Sequence, residues 1–264
     1  MCRWLAYVGE PIYLDRLLFK PENSLIQQSL HARKSVSATN GDGFSVGWYG
    51  ERDEPGLYRD LRPAWNDENL KSIAEQIRTG LFFAHVRAST GTAASRANCH
   101  PFRHGRWLFM HNGQIGGFDQ VARDLDFRIA PPFYRARQGT TDSETFFYLL
   151  LTNGLEADPE AALARTVAEV CEVMEAAHIE EPFRLTAALT DGESVWGVRW
   201  SSDAHSPTLF YGAGKHVCCG EGGHNGASML ILSEPLDGVA DNWRAVPEGH
   251  LLVCRDGVVE TRPL

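Results

Sequence analysis

Apolar runs of strand length open and close this chain, and its longer helix signals lie between them. At the start, Trp4-Leu5-Ala6-Tyr7-Val8 is a continuous apolar run closed by Gly9. It reads as a buried strand over residues 3–8. Further strand signals follow at 43–49, 81–86 and 106–110. A helix is predicted over 67–79, with Asp67 as its cap and Gly80 as its terminator. A second is predicted over 142–151, where Thr141 and Glu144 stand at capping-box spacing. A third runs from Asp158, before Pro159, to about residue 177, with Leu163, Val167, Val170 and Met174 as its apolar stripe. The last third returns to strands at 185–189, 194–200, 208–212, 229–232, 251–255 and 258–261, with Asp191-Gly192 and Asp256-Gly257 as hairpin turns. Strands, then helices, then strands describe an α+β fold with mainly antiparallel sheets, not an alternating βαβ chain. No repeat, low-complexity segment or linker divides residues 1–264, which are read as a single domain. The irregular stretch 88–104 is read as a functional loop.

The charge balance narrows the partners. Formal net charge is -9, from 25 basic and 34 acidic side chains, which argues against nucleic acid and anionic membrane surfaces. With 43% hydrophobic and 22% charged residues, the chain reads as soluble and globular, with a sizeable core. No apolar run approaches the ~18–20 residues of a membrane span. No charged leader with an apolar signal core opens the sequence. The six cysteines include no CxxC pair and read as reduced thiols in the cytoplasm. Cys99-His100-Pro101-Phe102-Arg103-His104 matches no zinc spacing, and no metal or cofactor is expected.

The first cysteine raises a chemical question. Chain ends fray unless something ties them down, and a strand from residue 3 would hold Cys2 still. Removal of Met1 would give Cys2 a thiol and a free α-amine, whose pKa near ~8 suits a base at neutral pH. Cys2 can thus be a nucleophile with its own base, or a small apolar residue capping a strand. Two other stretches end predicted strands in polar residues, His85-Val86-Arg87-Ala88-Ser89-Thr90-Gly91 and Met110-His111-Asn112-Gly113, and a third, Thr141-Asp142-Ser143-Glu144, begins a predicted helix. Each has two readings. Arg87 can bind a carboxylate in a fork or make a surface ion pair. Asn112-Gly113 can serve chemistry or a hairpin turn. Asp142 can bind a cation or favour the helix dipole. His85 and His111 are read as polar groups bonded within the sheet layers, and Trp48, Trp107 and Trp196 as core.

In that order the four pieces resemble the class II glutamine amidotransferases, a branch of the N-terminal-nucleophile hydrolases, over roughly residues 2–260. Met1-Cys2-Arg3, Asn40-Gly41-Asp42-Gly43-Phe44, Leu232-Ser233-Glu234-Pro235-Leu236 and Val246-Pro247-Glu248-Gly249 resemble its small stand-alone branch. That branch includes relatives of the ergothioneine-pathway γ-glutamyl amidohydrolase and of the fungal glutathione-degrading amidotransferase subunit. The resemblance implies a four-layer αββα sandwich of two antiparallel sheets with helices outside. It implies hydrolysis of glutamine or a γ-glutamyl amide, with Cys2 attacking the side-chain amide and its α-amine moving the proton. Asn112 and Gly113 would form the oxyanion hole, Arg87 and Thr90 would hold the substrate α-carboxylate, and Asp142 would pair with the α-ammonium. Two alternatives stand beside this: a glutaminase subunit feeding ammonia to a separate synthetase, and a non-catalytic γ-glutamyl-metabolite binding protein. No fused synthetase domain is expected, and a homo-oligomer stays open. Ala88, where synthetase-linked members carry an aromatic, and Ser45, where small relatives carry glycine, put the amine side of specificity in doubt.

Overall fold

The computed structural model describes residues 2–30, 40–88, 94–214 and 228–264. Among these, seven strands form one antiparallel sheet: β1 (Arg3–Tyr13), β2 (Phe44–Trp48), β3 (Gly56–Asp60), β4 (Arg78–Val86), β9 (Phe210–Ala213), β10 (Met229–Leu232) and β11 (Arg244–Ala245). Their order is β11-β9-β10-β1-β4-β2-β3. Six strands form the second: β5 (Phe102–His104), β6 (Trp107–Gln114), β7 (Arg184–Thr190), β8 (Val195–Ser201), β12 (His250–Arg255) and β13 (Val258–Pro263), in the order β13-β12-β8-β7-β6-β5. Helices α1 (Asp15–Leu18), α2 (Leu25–Leu30) and α3 (Glu68–Gln76) cover the first sheet; α4 (Phe118–Arg128), α5 (Pro131–Tyr134), α6 (Asp142–Thr152) and α7 (Pro159–Ala176) cover the second.

Three apolar layers hold these four structural layers together. Trp4, Ala6 and Phe83 of the first sheet meet Leu108, Met110 and Leu252 of the second. Leu5 and Tyr7 point the other way, against Leu17, Leu25 and Leu70. This explains why the opening run is apolar throughout rather than alternating: β1 is central and buried on both faces. On the far side, Phe109 and Leu185 pack with Phe146, Phe147 and Leu163, and the Phe109 and Phe147 rings stack at 5.4 Å. Burying each large side chain contributes about 1.5–3 kcal/mol. The four-layer αββα sandwich expected from the resemblance is the observed architecture. Among the described residues, no helix is long and apolar enough to cross a membrane.

Several boundaries differ from the sequence reading. β1 does not end at Gly9; it runs on to Tyr13 through a register shift between Val8 and Ile12. Gly80 does not terminate α3. The helix stops at Gln76, Ile77 is already extended, and Gly80 lies inside β4. A side chain at Gly80 would meet the Gly9 carbonyl oxygen at 2.7 Å, so the glycine serves a close backbone approach. Asn112-Gly113 is not a hairpin turn. Both residues sit within β6, paired with Thr186 and Leu185 of β7. The Thr141 hydroxyl accepts the Glu144 N–H at 3.2 Å as the cap of α6. The reciprocal half of the capping box is absent, because the Glu144 carboxylate accepts instead from the N–H groups of Gln138 and Gly139 at 2.9 and 2.7 Å.

Candidate active site

Register places the first two candidates side by side. β1 and β4 are antiparallel neighbours with Arg3 opposite Val86, so Cys2 and Arg87 leave the same end of the sheet together. The Cys2 thiol lies 3.6 Å from the Ala88 carbonyl oxygen, to which it donates. Burial pushes this thiol above its ordinary pKa, while the Ala88 contact and the Arg87 and Arg3 charges pull the other way. Arg87 is 4% exposed. Its main chain is clamped to the turn before β2: its N–H donates to Gly43 O at 2.8 Å, and its carbonyl accepts from Asp42 N at 3.1 Å. Its Nη1 donates to Asp42 O at 3.5 Å.

The second sheet supplies Asn112 and Gly113. By strand alternation Asn112 shares a face with Leu108 and Met110, which point at the first sheet. Its side chain is 2% exposed, and its Nδ2 has no partner among the described residues. Gly113 has φ +151°, and a side chain there would meet the Arg184 carbonyl oxygen at 1.9 Å and His111 Nε2 at 2.6 Å. Only glycine fits that position. Asp142, half-buried at the first turn of α6, bridges to the end of β6. Its Oδ2 accepts from Ile115 N at 2.9 Å and its Oδ1 from Ser143 N at 2.8 Å. It therefore does cap-region work, and its remaining lone pairs can still take a cation.

Thr90 lies outside the described residues, as do Met1, Cys218 and Cys219. Ser45 is buried opposite His85, and its hydroxyl has no partner among the described residues. Ala88 supplies only its carbonyl. Among the described residues, no three His, Cys, Asp or Glu side chains gather to hold a metal. Cys99 is buried against the carbonyls of Asp60 and Ser95, at 3.8 and 3.7 Å.

A model of the class II glutamine amidotransferase family matches residues 20–207. The probable glutamine amidotransferase DUG3 of Saccharomyces cerevisiae is 33% identical over 301 residues, covering all of this chain and 84% of that protein. This chain belongs to the class II glutamine amidotransferases. The gamma-glutamyl-hercynylcysteine sulfoxide hydrolase of Mycolicibacterium smegmatis is 28% identical over 269 residues and aligns along the whole length of both chains. A solved glutamine aminotransferase class-II domain protein from Silicibacter pomeroyi superposes with TM-score 0.76 at 37% identity, over 99% of each chain. The glutamine phosphoribosylpyrophosphate amidotransferase of Bacillus subtilis shares the fold alone. Its TM-score is 0.67 at 13% identity, over 99% of this chain and 49% of that one. The relatives make this amidotransferase an enzyme.

One part of the candidate site was not assembled by the sequence reading, which took His85 and His111 only as polar groups within the sheet layers. Three buried imidazoles run between its elements. The His85 ring, two residues before Arg87, packs against the His100 ring with centroids 4.4 Å apart and planes tilted by 40°. His100 Nδ1 accepts the N–H of His111 at 3.2 Å, next to Asn112. His111 Nδ1 meets the Ser143 hydroxyl at 2.9 Å, next to Asp142. β4, β6 and α6 are thus tied together beneath the residues they present. Burial keeps the rings neutral: it pushes His85 down to about 3, with Arg87 and His111 adding to the effect, and His100 well below its ordinary value. His111 is also lowered by burial, against the opposing pull of Asp142. The expectation that His85 and His111 are bonded within the layers holds for His111. Neither His85 nitrogen has a hydrogen-bond partner among the described residues.

Proposed function

We propose that this chain hydrolyses glutamine or a γ-glutamyl amide, with Cys2 as nucleophile, releasing glutamate and ammonia or an amine. The observation that carries the reading is the buried Nδ2 of Asn112, which has no partner among the described residues, on the face of the second sheet turned toward the end of β1. Leaving such a donor unsatisfied costs about 1–3 kcal/mol, and an oxyanion forming on the substrate would satisfy it. With Met1 removed, the α-amine of Cys2 takes the thiol proton. It is needed because burial raises the thiol pKa, and the nearby imidazoles are buried and depressed below useful basicity. Sulfur then bonds to the amide carbon, and the carbonyl oxygen becomes an oxyanion facing Asn112 Nδ2 and the Gly113 N–H. The carbon–nitrogen bond breaks as the ammonium of Cys2 returns its proton to the leaving amine. A water, deprotonated by the same amine, opens the thioester to give glutamate and restore the thiol.

Arg87 binds the substrate α-carboxylate through its guanidinium fork, with Thr90 beside it in this reading, and Asp142 takes the α-ammonium. The hydrolase relative that aligns end to end supports hydrolysis as the net reaction. The test is glutamate release from a panel of γ-glutamyl amides by the native protein and by Cys2→Ala. Turnover by the native protein that disappears in Cys2→Ala, while glutamate still binds, is the expected result. Equal turnover by Cys2→Ala would overturn the reading.

A further inference from the structure

Arg3 and the stretches Asn40-Gly41-Asp42-Gly43-Phe44 and Leu232-Ser233-Glu234-Pro235-Leu236 are given no role in the chemistry above, yet they meet behind the nucleophile. We infer that Arg3 and Glu234 are positioning residues for Cys2, a buried ion pair that fixes the main chain at the start of β1. The inference rests on the nucleophile assignment just made.

Arg3 and Glu234 are each 2% exposed and 231 residues apart in sequence. Arg3 Nε meets Glu234 Oε2 at 3.0 Å, and the same guanidinium donates through Nη1 to the Cys2 carbonyl at 2.9 Å. One planar fork therefore grips the partner acid and the nucleophile's own carbonyl at once, which a lysine ammonium cannot do in the same geometry. Arg3 and Cys2 alternate across the strand. Arg3 lies on the face of Leu5 and Tyr7, against the helices, away from the thiol. It touches the nucleophile only at its backbone carbonyl, and its charge reaches the thiol across space.

The acid is held in turn. Glu234 Oε1 accepts from Asn23 Nδ2 at 3.2 Å, and the same amide donates to Pro235 O at 2.6 Å. Gln28 Nε2 donates to Asn23 O at 2.9 Å and to Glu234 O at 3.3 Å. Asn40 Nδ2 donates to Gln28 O at 3.2 Å, and two residues on, Asp42 N donates to Arg87 O at 3.1 Å. Ser233 completes the clamp: its hydroxyl accepts from Trp4 N at 3.0 Å, and its N–H donates to Trp4 O at 3.0 Å. A continuous polar path thus runs from the Cys2 carbonyl to the main chain of Arg87. Two buried charges are a poor way to gain stability, since an apolar pair of similar volume often does as well. They are a good way to fix a chain end that would otherwise fray.

Glu234→Gln keeps the side chain's shape and its bond from Asn23 but removes the counter-charge. Arg3→Lys keeps the charge but loses the two-way grip. Turnover is measured per active site, with sites counted by titrating Cys2 with a glutamine-like electrophile, so that misfolded protein is not scored. Both variants should lose at least tenfold in kcat per titrated site, with KM and the glutamate dissociation constant changed less than twofold. Unchanged kcat per site in either variant would reduce the pair to a structural contact and overturn the inference. A raised KM with native kcat would do the same, since it would place the pair's effect on binding. Should Glu234→Gln fail to fold, Arg3→Lys gives the same reading with its ion pair intact. Absence of turnover in the native protein would sink the functional assignment, and this inference with it. Native turnover with native-like variants would sink the inference alone.

Discussion

The buried Asn112 amide nitrogen has no partner among the described residues; leaving such a donor unsatisfied costs about 1–3 kcal/mol, and the proposed reaction recovers that cost only when an oxyanion forms. Asn112→Ala should therefore lower kcat by roughly 10²–10³ with little change in KM, while the melting temperature stays level or rises. Steady-state kinetics beside a thermal melt read both, and a large drop in melting temperature with native kcat would contradict the assignment. Arg87 acts earlier, on binding. In Arg87→Lys the charge stays but the fork is lost, and charge-assisted bonds run at about 1.5–3 kcal/mol. KM should rise by about one to two orders of magnitude, and a fall in kcat alone would move Arg87 into the chemical step. These residues were legible in the sequence because their types carry chemistry and each stands where an apolar run ends. The His85–His100 ring contact was not: fifteen positions of chain separate its members, and only tertiary packing brings the ring centroids to 4.4 Å.

At the level of elements, α6 was legible from its cap, since Thr141 does accept the Glu144 N–H. What spacing could not say is that Glu144 turns away to hold Gln138 and Gly139. β6 was misread at its end, because Asn-Gly favours turns in isolation and the pairing with Thr186 and Leu185 overrides that preference. α4 went unseen because Gly117 opens it in the left-handed region with no side-chain cap. β3 is a short edge strand, half-buried throughout, with little apolar pattern to detect. The rigid start of α6 gives the sharpest test of substrate class, for it presents Asp142 to the proposed α-ammonium. An α-N-acetylated γ-glutamyl amide should be a very poor substrate, and Asp142→Asn should weaken use of the free-amine compound and narrow the gap between them. Comparable kcat/KM for both compounds in the native protein would show that no ammonium is read.

The whole molecule carries a cost in acid that follows from its neutral imidazoles. Folding depresses His85 to about 3 from an ordinary 6.5, and His100 in the same direction. In the unfolded chain these rings protonate near pH 6.5, so below that pH the unfolded state binds more protons. Their contribution is complete above about pH 6.5 and is lost as pH falls toward 3. The melting temperature should drop across that window, less steeply in a His85→Phe variant than in the native protein; identical slopes would contradict the burial argument. The sandwich itself was readable from the order of strands and helices, with the family resemblance supplying the four layers. The tie between Arg3 and Glu234 was not: the resemblance marks the stretch around each, but 231 residues separate the partners and nothing local pairs them. The claim on which the rest depends is that Cys2, freed of Met1, is the nucleophile. It is tested by treating the native protein with a glutamine-like electrophile, weighing the intact chain and mapping the adduct. The account predicts one adduct, on Cys2, in a chain that begins at Cys2. Labelling at Cys99 or Cys219 with Cys2 untouched, or full activity with Met1 still attached, would contradict it.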